Sequence, residues 1–277
     1  MTPTRAPHTV GVYGGGRMGA GIAYAFIAAG SHVTVIERDE DACAGAIERV
    51  TASWERSGAD VTEGLSRLAA STDPDALSSS TLVVEAVPEI FELKQSVLQR
   101  VEAAAPDAVL MSNTSSFSIS KLASSLNNPA QFAGMHFFNP VPVSKLVEIV
   151  AGAESAPDTL TQAHEWVEAI GKTPITVQDS PGFASSRLGV SLALEAMRML
   201  ETGVGTAEDI DTAMELGYGH AAGPLKTTDI VGLDVRLAVA EYLESKLGER
   251  FAPPQILRDL VAAGKLGRKS GEGFYTW

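Results

Sequence analysis

Residues 8–30 read HTVGVYGGGRMGAGIAYAFIAAG, and this stretch decides the fold. A β-rich run, HTVGVYG, ends in glycine, and small and apolar residues then recur at helical spacing up to Gly30. Between them lies G-x-G-x-x-G, with Gly14, Gly16 and Gly19 at the fixed places. Glycine allows the tight turn, lets the backbone approach a pyrophosphate and lets helix and strand pack closely. The helix amino terminus adds unpaired N–H groups and partial positive charge. A glycine-rich turn alone is a weak signal, but here a strand precedes it and a helix follows. Glu37 ends the next strand, HVTVIE, eighteen residues beyond Gly19. A carboxylate there accepts from a free ribose hydroxyl and repels a 2′-phosphate. The expected cofactor is therefore NAD rather than NADP, although Arg38 beside Glu37 could soften that preference.

Outward from this turn, strand and helix alternate. DEDACAGAIERVTASWERSG, residues 39–58, reads as a helix with acids in its first turn and Gly58 beyond its end. TLVVEAV, AVLMSNTS, QFAGMHFF, KLVEIVAG and PITVQDSPG are further short apolar runs, the last preceded by a helix at PDTLTQAHEWVEAIG. The pattern predicts an α/β, Rossmann-type, mostly parallel sheet covered on both faces. After Pro181 the pattern becomes helical: FASSRLGVSLALEAMRMLETG, then TAEDIDTAMELG with a cap at Thr206 and Asp209 three residues on. PLKTTDIVGLDVRLAVAEYLESKLG and PPQILRDLVAAG are also helical, and no strand is expected before GFYTW. The expected domains are 1–182, dinucleotide-binding, and 183–277, all-helical.

The chain has 277 residues, room for about two domains. Its net charge of −13 argues against nucleic acid or an anionic membrane as partner. The single cysteine, Cys43, cannot form an internal disulfide, which fits a cytoplasmic location. MTPTRAPHTV lacks the apolar core of a signal peptide, no transmembrane run is visible, and the five histidines have no metal-ligand spacing.

GMHFFNPVPVSKLVEIV, residues 134–150, places His136 at the end of one apolar run and Glu148 inside another. An imidazole suits proton transfer near neutral pH, and a carboxylate on its second nitrogen fixes the tautomer and stabilises the charged ring. The bland alternatives are a structural histidine at a strand end and a glutamate facing water.

These segments, with GGGRMGAGIA, VVEAVPEIFELK, SNTSS, DSPGFASSR, GPLKTTDIVGLD and LGRKSGEGFYTW, fall in one order along nearly the whole chain. In this the chain resembles the L-3-hydroxyacyl-CoA dehydrogenases, especially the bacterial 3-hydroxybutyryl-CoA group. The resemblance implies an NAD-dependent oxidoreductase acting on a short (S)-3-hydroxyacyl thioester, with an active site between the domains and a homodimer through the helical one. It makes His136 and Glu148 the catalytic pair and has Ser115 contact the substrate oxygen. Gly14, Gly16, Met18, Gly19, Glu37, Glu89, Lys94, Asn113 and Asn139 would meet the cofactor. Without the resemblance, Lys94 reads as a solvated helix charge, Glu89 as an acid at a helix start, and Asn139 and Ser115 as turn residues.

Two departures stand out. Ser186 occupies a position where the family commonly has a substrate-holding asparagine. Ser53 matches a serine near the nucleotide part of CoA, but WERSGADVTEG lacks the lysine that usually follows, and Asp60 is nearby. Arg49 or Arg56 could compensate, though Glu48 and Glu55 adjoin them. The acyl carrier is thus CoA or a carrier protein. Other readings are a dehydrogenase of a free hydroxy acid of the carnitine or gulonate type, or a non-enzymatic NAD-binding protein like the lambda-crystallins.

Overall fold

A computed structural model describes residues 5–58 and 61–277; Asp60 lies outside them. The chain divides into two compact units, one ending at Ser180 and the other spanning Pro181–Trp277.

The first unit is built on an eight-stranded sheet in the order β3-β2-β1-β4-β5-β6-β7-β8. Its strands are β1 (Thr9–Tyr13), β2 (His32–Ile36), β3 (Leu68–Ser71), β4 (Leu82–Glu85), β5 (Val109–Ser112), β6 (Phe132–Phe137), β7 (Leu146–Ala151) and β8 (Thr173–Gln178). All neighbouring pairs are parallel except β6 and β7. The helices are α1 (Arg17–Ala28), α2 (Glu40–Ser57), α3 (Val61–Leu65), α4 (Phe91–Ala104), α5 (Ile119–Ala123) and α6 (Pro157–Ala169). Val10, Val12, Val33, Val35 and Met111 from the strands pack with Ile22 and Phe26 of α1 in one buried cluster. Each such large side chain, taken fully out of water, contributes about 1.5–3 kcal/mol.

Helix α2 runs as its sequence predicts. The Asp39 carboxylate accepts from Ala42 N at 2.7 Å, and Gly58 closes the helix in the left-handed region at φ 74°. The edge strand β3 has no counterpart in the sequence reading. Its residues, LAAS, are few, alanine-rich and nowhere fully buried, so they carry neither alternation nor a run of branched side chains. At the opposite edge β8 accommodates Pro174, as only an edge or a strand end readily does.

From β1 the chain goes outward to β2 and β3, then crosses back to β4 on the other side of β1. That reversal makes the carboxyl ends of β1 and β4 a topological switch point, where open α/β sheets place ligands. Ala86 N donates to Tyr13 O at 2.8 Å there, so the turn after β1 and the loop after β4 lie side by side.

The second unit comprises α7 (Ser185–Glu201), α8 (Ala207–Tyr218), α9 (Pro224–Val231), α10 (Leu233–Leu247) and α11 (Gln255–Ala262). Thr206 caps α8 through Asp209 N at 3.1 Å. The sequence read as one helix over residues 224–248 is two, because Gly232 stands at φ 108° and ψ 128°. The buried Asp229 carboxylate gathers the end of the chain, accepting from Phe274 N, Tyr275 N and Trp277 Nε1 at 2.8–2.9 Å. Among the described residues no helix is long and apolar enough to cross a membrane.

Candidate active site

The turn after β1 shows why its glycines are glycines. Gly14 has φ 98°, and a Cβ on it would press on Ala86 and Val87 of the neighbouring loop at 3.0–3.1 Å. A Cβ on Gly19 would collide with the Gly14 carbonyl oxygen, whereas one on Gly16 would meet nothing within 4 Å. The turn is closed behind Gly14 and Gly19 and open in front of Gly16, the side from which a phosphate would approach. Met18 follows in the first turn of α1 and packs against the core. Glu37 Oε1 accepts from Gly15 N at 2.7 Å and Oε2 from Arg38 N at 3.2 Å, so the acid that ends β2 is held at the turn. Arg38 extends to Asp39 instead, Nε to Oδ2 at 2.9 Å, in an exposed pair. This cradle, with the Glu37 carboxylate held at it, fits a dinucleotide with a free ribose 2′-hydroxyl.

At the end of β4 the apolar run VVE places Glu85 in full burial. Glu85 Oε1 meets Lys94 Nζ at 2.8 Å and Val87 N at 2.8 Å, while Oε2 accepts from Ser112 Oγ at 2.6 Å. Lys94, on α4, is itself buried and donates to Val87 O at 3.2 Å. Its ammonium also lies 3.3 Å from Glu89 Oε2. Glu89 then collects the loop after β5. Its Oε1 accepts from Thr114 Oγ1 at 2.6 Å, Ser115 N at 3.0 Å, Ser116 N at 3.1 Å and Ser116 Oγ at 2.9 Å. Burial pushes the Glu89 carboxyl up, but Lys94 and these donors more than offset it, and its pKa lies below the ordinary 4.5.

One continuous polar chain therefore joins β4, α4 and the Ser115 loop. Lys94 is no solvated helix charge, and Glu89 acts as a hub rather than as an acid at a helix start. Sequence reasoning missed Glu85, Ser112 and Thr114. The signal for Glu85 was present, since an acid in VVEAV breaks an apolar strand just as Glu148 does in KLVEIV.

The second cluster arises where the sheet reverses direction. The antiparallel register of β6 and β7 pairs His136 with Glu148 directly across the ladder, which puts both side chains on one face. His136 Nδ1 lies 2.8 Å from Glu148 Oε2. Glu148 is fully buried and His136 is 7% exposed, so the glutamate does not face water. Phe138 leans on the imidazole with ring centroids 4.6 Å apart. Asn113 Oδ1 accepts from Phe137 N at 2.8 Å, tying the end of β5 to the residue after His136. Asn139 follows on the exposed loop, joined to Pro140 by a cis peptide bond. Ser115 is exposed.

Ser53 is buried within α2, donating to Arg49 O at 3.0 Å and accepting from Arg56 Nη2 at 3.1 Å. Ser186 lies in the first turn of α7, in the second unit.

A family model described as "3-hydroxyacyl-CoA dehydrogenase, NAD binding domain" matches residues 9–180, and one described as "3-hydroxyacyl-CoA dehydrogenase, C-terminal domain" matches residues 182–277. The chain belongs to the 3-hydroxyacyl-CoA dehydrogenase family. It is 40% identical over 275 residues to a probable 3-hydroxybutyryl-CoA dehydrogenase of Deinococcus radiodurans, covering 96% of this chain and 99% of that one. It is 39% identical to the mitochondrial hydroxyacyl-coenzyme A dehydrogenase of Rattus norvegicus, covering 97% and 90%. Among solved structures, (S)-3-hydroxybutyryl-CoA dehydrogenase from Ralstonia eutropha superposes with a TM-score of 0.94 at 37% identity, covering 98% and 99%. The enzyme is an NAD-dependent oxidoreductase of this family, and the expected fold class is the one observed. The open, carboxylate-flanked turn is where this dehydrogenase would hold NAD.

Proposed function

We propose that the enzyme interconverts short-chain (S)-3-hydroxyacyl-CoA, such as 3-hydroxybutyryl-CoA, and the matching 3-oxoacyl-CoA, with His136 and Glu148 as a catalytic dyad. Bound NAD supplies the acceptor for the hydride that leaves the β-carbon. In oxidation His136 takes the hydroxyl proton on Nε2. The contact of Nδ1 with Glu148 Oε2 at 2.8 Å keeps the other nitrogen's proton in place, so that Nε2 is the acceptor, and it stabilises the imidazolium that forms. In reduction the protonated ring returns that proton to the ketone oxygen. The Ser115 hydroxyl orients the same oxygen, on a loop anchored by its own N–H to Glu89. Glu89, Lys94, Asn113 and Asn139 line the nicotinamide side.

The observation that carries this reading is the His136–Glu148 contact with its carboxylate wholly buried. A buried carboxylate is costly unless paired, so the pair has a role beyond filling space. A second reading, in which the thioester is presented by a carrier protein, draws support from α2. Arg49 donates to Gly15 O at 3.2 Å and Arg56 to Ser53 Oγ, so both candidate cations for a CoA phosphate are engaged. The enzyme acts in the cytoplasm as a homodimer. The exposed apolar residues Leu188, Leu216, Tyr218, Ile230 and Val235 of the helical unit support a second copy as the cover.

NADH oxidation followed with acetoacetyl-CoA, acetoacetyl-carrier protein and free acetoacetate tests both readings. Turnover of acetoacetyl-CoA is expected. Activity confined to the carrier-bound form favours the second reading, and activity on none of the three overturns the proposal.

A further inference from the structure

The loop between β6 and β7, residues 138–145, separates His136 from Glu148 and carries Phe138 and Asn139. It is closed on itself at Pro140, whose carbonyl oxygen accepts from Val143 N at 3.0 Å and Ser144 N at 2.9 Å. The carbonyls of Val141 and Ser144 are taken up from outside the loop. Lys172 Nζ donates to both, each at 2.6 Å. Such charge-assisted bonds are stronger than those between neutral groups, and here two converge on one donor. Burial pushes the Lys172 ammonium below the ordinary 10.5, and no neighbouring charge opposes that. Burying a charge is costly, and a residue that only filled space would not carry that cost.

The backbone of Lys172 is itself fixed. Helix α6 closes through Gly171 at φ 74°, and Lys172 N donates to Val167 O at 3.1 Å. One residue on, Thr173 N donates to Lys145 O at 2.6 Å, where β8 begins its pairing with β7. The side chain therefore starts from a helix end locked to the sheet, and its tip holds the loop. Val141 is gripped from the other side by α1. It is 2% exposed within the main core, and a Cβ on Gly21 would lie 2.8 Å from its Cβ. Glycine is unfavourable inside a helix, and at this point its missing Cβ is what lets the loop seat against the helix that starts at the dinucleotide turn.

We propose that Lys172 is a positioning residue for hydride transfer: it clamps the β6–β7 loop so that Phe138 and Asn139 are held beside His136. The role rests on the dyad reading above. Lys172 touches neither the imidazole nor its carboxylate partner; it acts through the carbonyls of Val141 and Ser144.

Kinetics with acetoacetyl-CoA and NADH, together with hydrogen exchange of the Val143 and Ser144 amides, test the proposal in Lys172→Met and Lys172→Arg. Lys172→Met should bind NADH like wild type, because the Gly14–Gly19 turn is untouched. Its turnover per folded enzyme should fall about ten- to hundredfold, and the two amides should exchange about tenfold faster. Lys172→Arg, which keeps the charge and several donors, should recover most of both. Faster exchange with unchanged turnover would make Lys172 a purely structural residue and overturn the proposal. The dyad is judged apart from the clamp: Glu148→Gln turning over like wild type defeats the dyad, whereas Lys172→Met doing so defeats the clamp alone. Should Lys172→Met fail to fold, wild-type exchange decides, since Val143 and Ser144 amides exchanging as fast as an unstructured peptide overturn the clamp.

Discussion

His136 and Glu148 face each other across the single antiparallel step of an otherwise parallel ladder, Nδ1 to Oε2 at 2.8 Å. Strand pairing, rather than loop placement, sets their geometry, so the pair is as rigid as the sheet. Glu148→Gln keeps the shape and hydrogen-bonding capacity of the residue but removes the charge that stabilises imidazolium. The expected outcome is a folded enzyme with turnover lowered about 10²–10⁴-fold and little change in the thermal midpoint. Steady-state kinetics with acetoacetyl-CoA and NADH checks it, and a turnover within a few fold of wild type would remove the dyad.

Gly16 and Gly19 separate cofactor approach from folding. Alanine at position 16 meets open space, so Gly16→Ala should melt like wild type yet lose affinity for NADH, because its methyl occupies the side left clear for phosphate. Alanine at position 19 runs into the Gly14 carbonyl, so Gly19→Ala should lower stability as well, by about 1–3 kcal/mol. Thermal melts without cofactor, paired with fluorescence titration by NADH, distinguish the two. Equal melting losses in both variants would contradict the assignment.

Glu37 is expected to set the preference between cofactors. Its carboxylate sits at the Gly15 N–H, where a 2′-phosphate would bring like charge. Wild type should have the lower Michaelis constant for NADH than for NADPH. Glu37→Gln should narrow that gap by about tenfold, the equivalent of one lost charge-assisted hydrogen bond of about 1.4 kcal/mol. A wild-type constant lower for NADPH would defeat this assignment.

Much of this was legible in the sequence because the signals were local. The first turn, the Thr206 cap and the alternation of strand with helix each lie within a dozen residues. The His136–Glu148 pair was legible through the family resemblance, since an imidazole that ends one apolar run and an acid inside another also fit a structural histidine and a glutamate facing water. The Glu85–Lys94–Glu89 chain was not, because its members become neighbours only when the β4–α4 loop folds over the end of β5. Lys172 was equally hidden, since the charge in EAIGKTPIT looks like an ordinary solvated loop residue until the β6–β7 loop is seen to fold back to it. The break at Gly232 escaped because the apolar spacing continues through it, and the left-handed backbone there leaves no mark except the glycine.

The buried Glu85–Lys94 pair, 2.8 Å apart with both side chains 1% exposed, predicts a coupled stability effect. Lys94→Met strands the Glu85 carboxylate, and the expected loss in urea unfolding is about 3–5 kcal/mol. Adding Glu85→Gln to that variant should return a large part of the loss, because the amide oxygen can still accept from Ser112 Oγ or Val87 N without a buried charge. Additive losses in the double variant would mean that the two side chains are not coupled.

Glu89 adds a pH dependence whose sign follows from its lowered pKa. Desolvation works against the carboxylate, but Lys94 and the Thr114, Ser115 and Ser116 donors hold it ionised, so the folded state binds its proton more weakly than the unfolded chain does. The stability this contributes is fully present above pH 4.5, the ordinary value, and is lost as pH falls from there through the depressed folded value. Glu89→Gln removes that contribution. The variant should therefore be less stable than wild type at neutral pH, and the two unfolding curves should converge in acid. Urea unfolding at a series of pH values from neutral downward measures the difference. A gap that stays constant into the acid range would show that the hub holds the Ser115 loop without its charge.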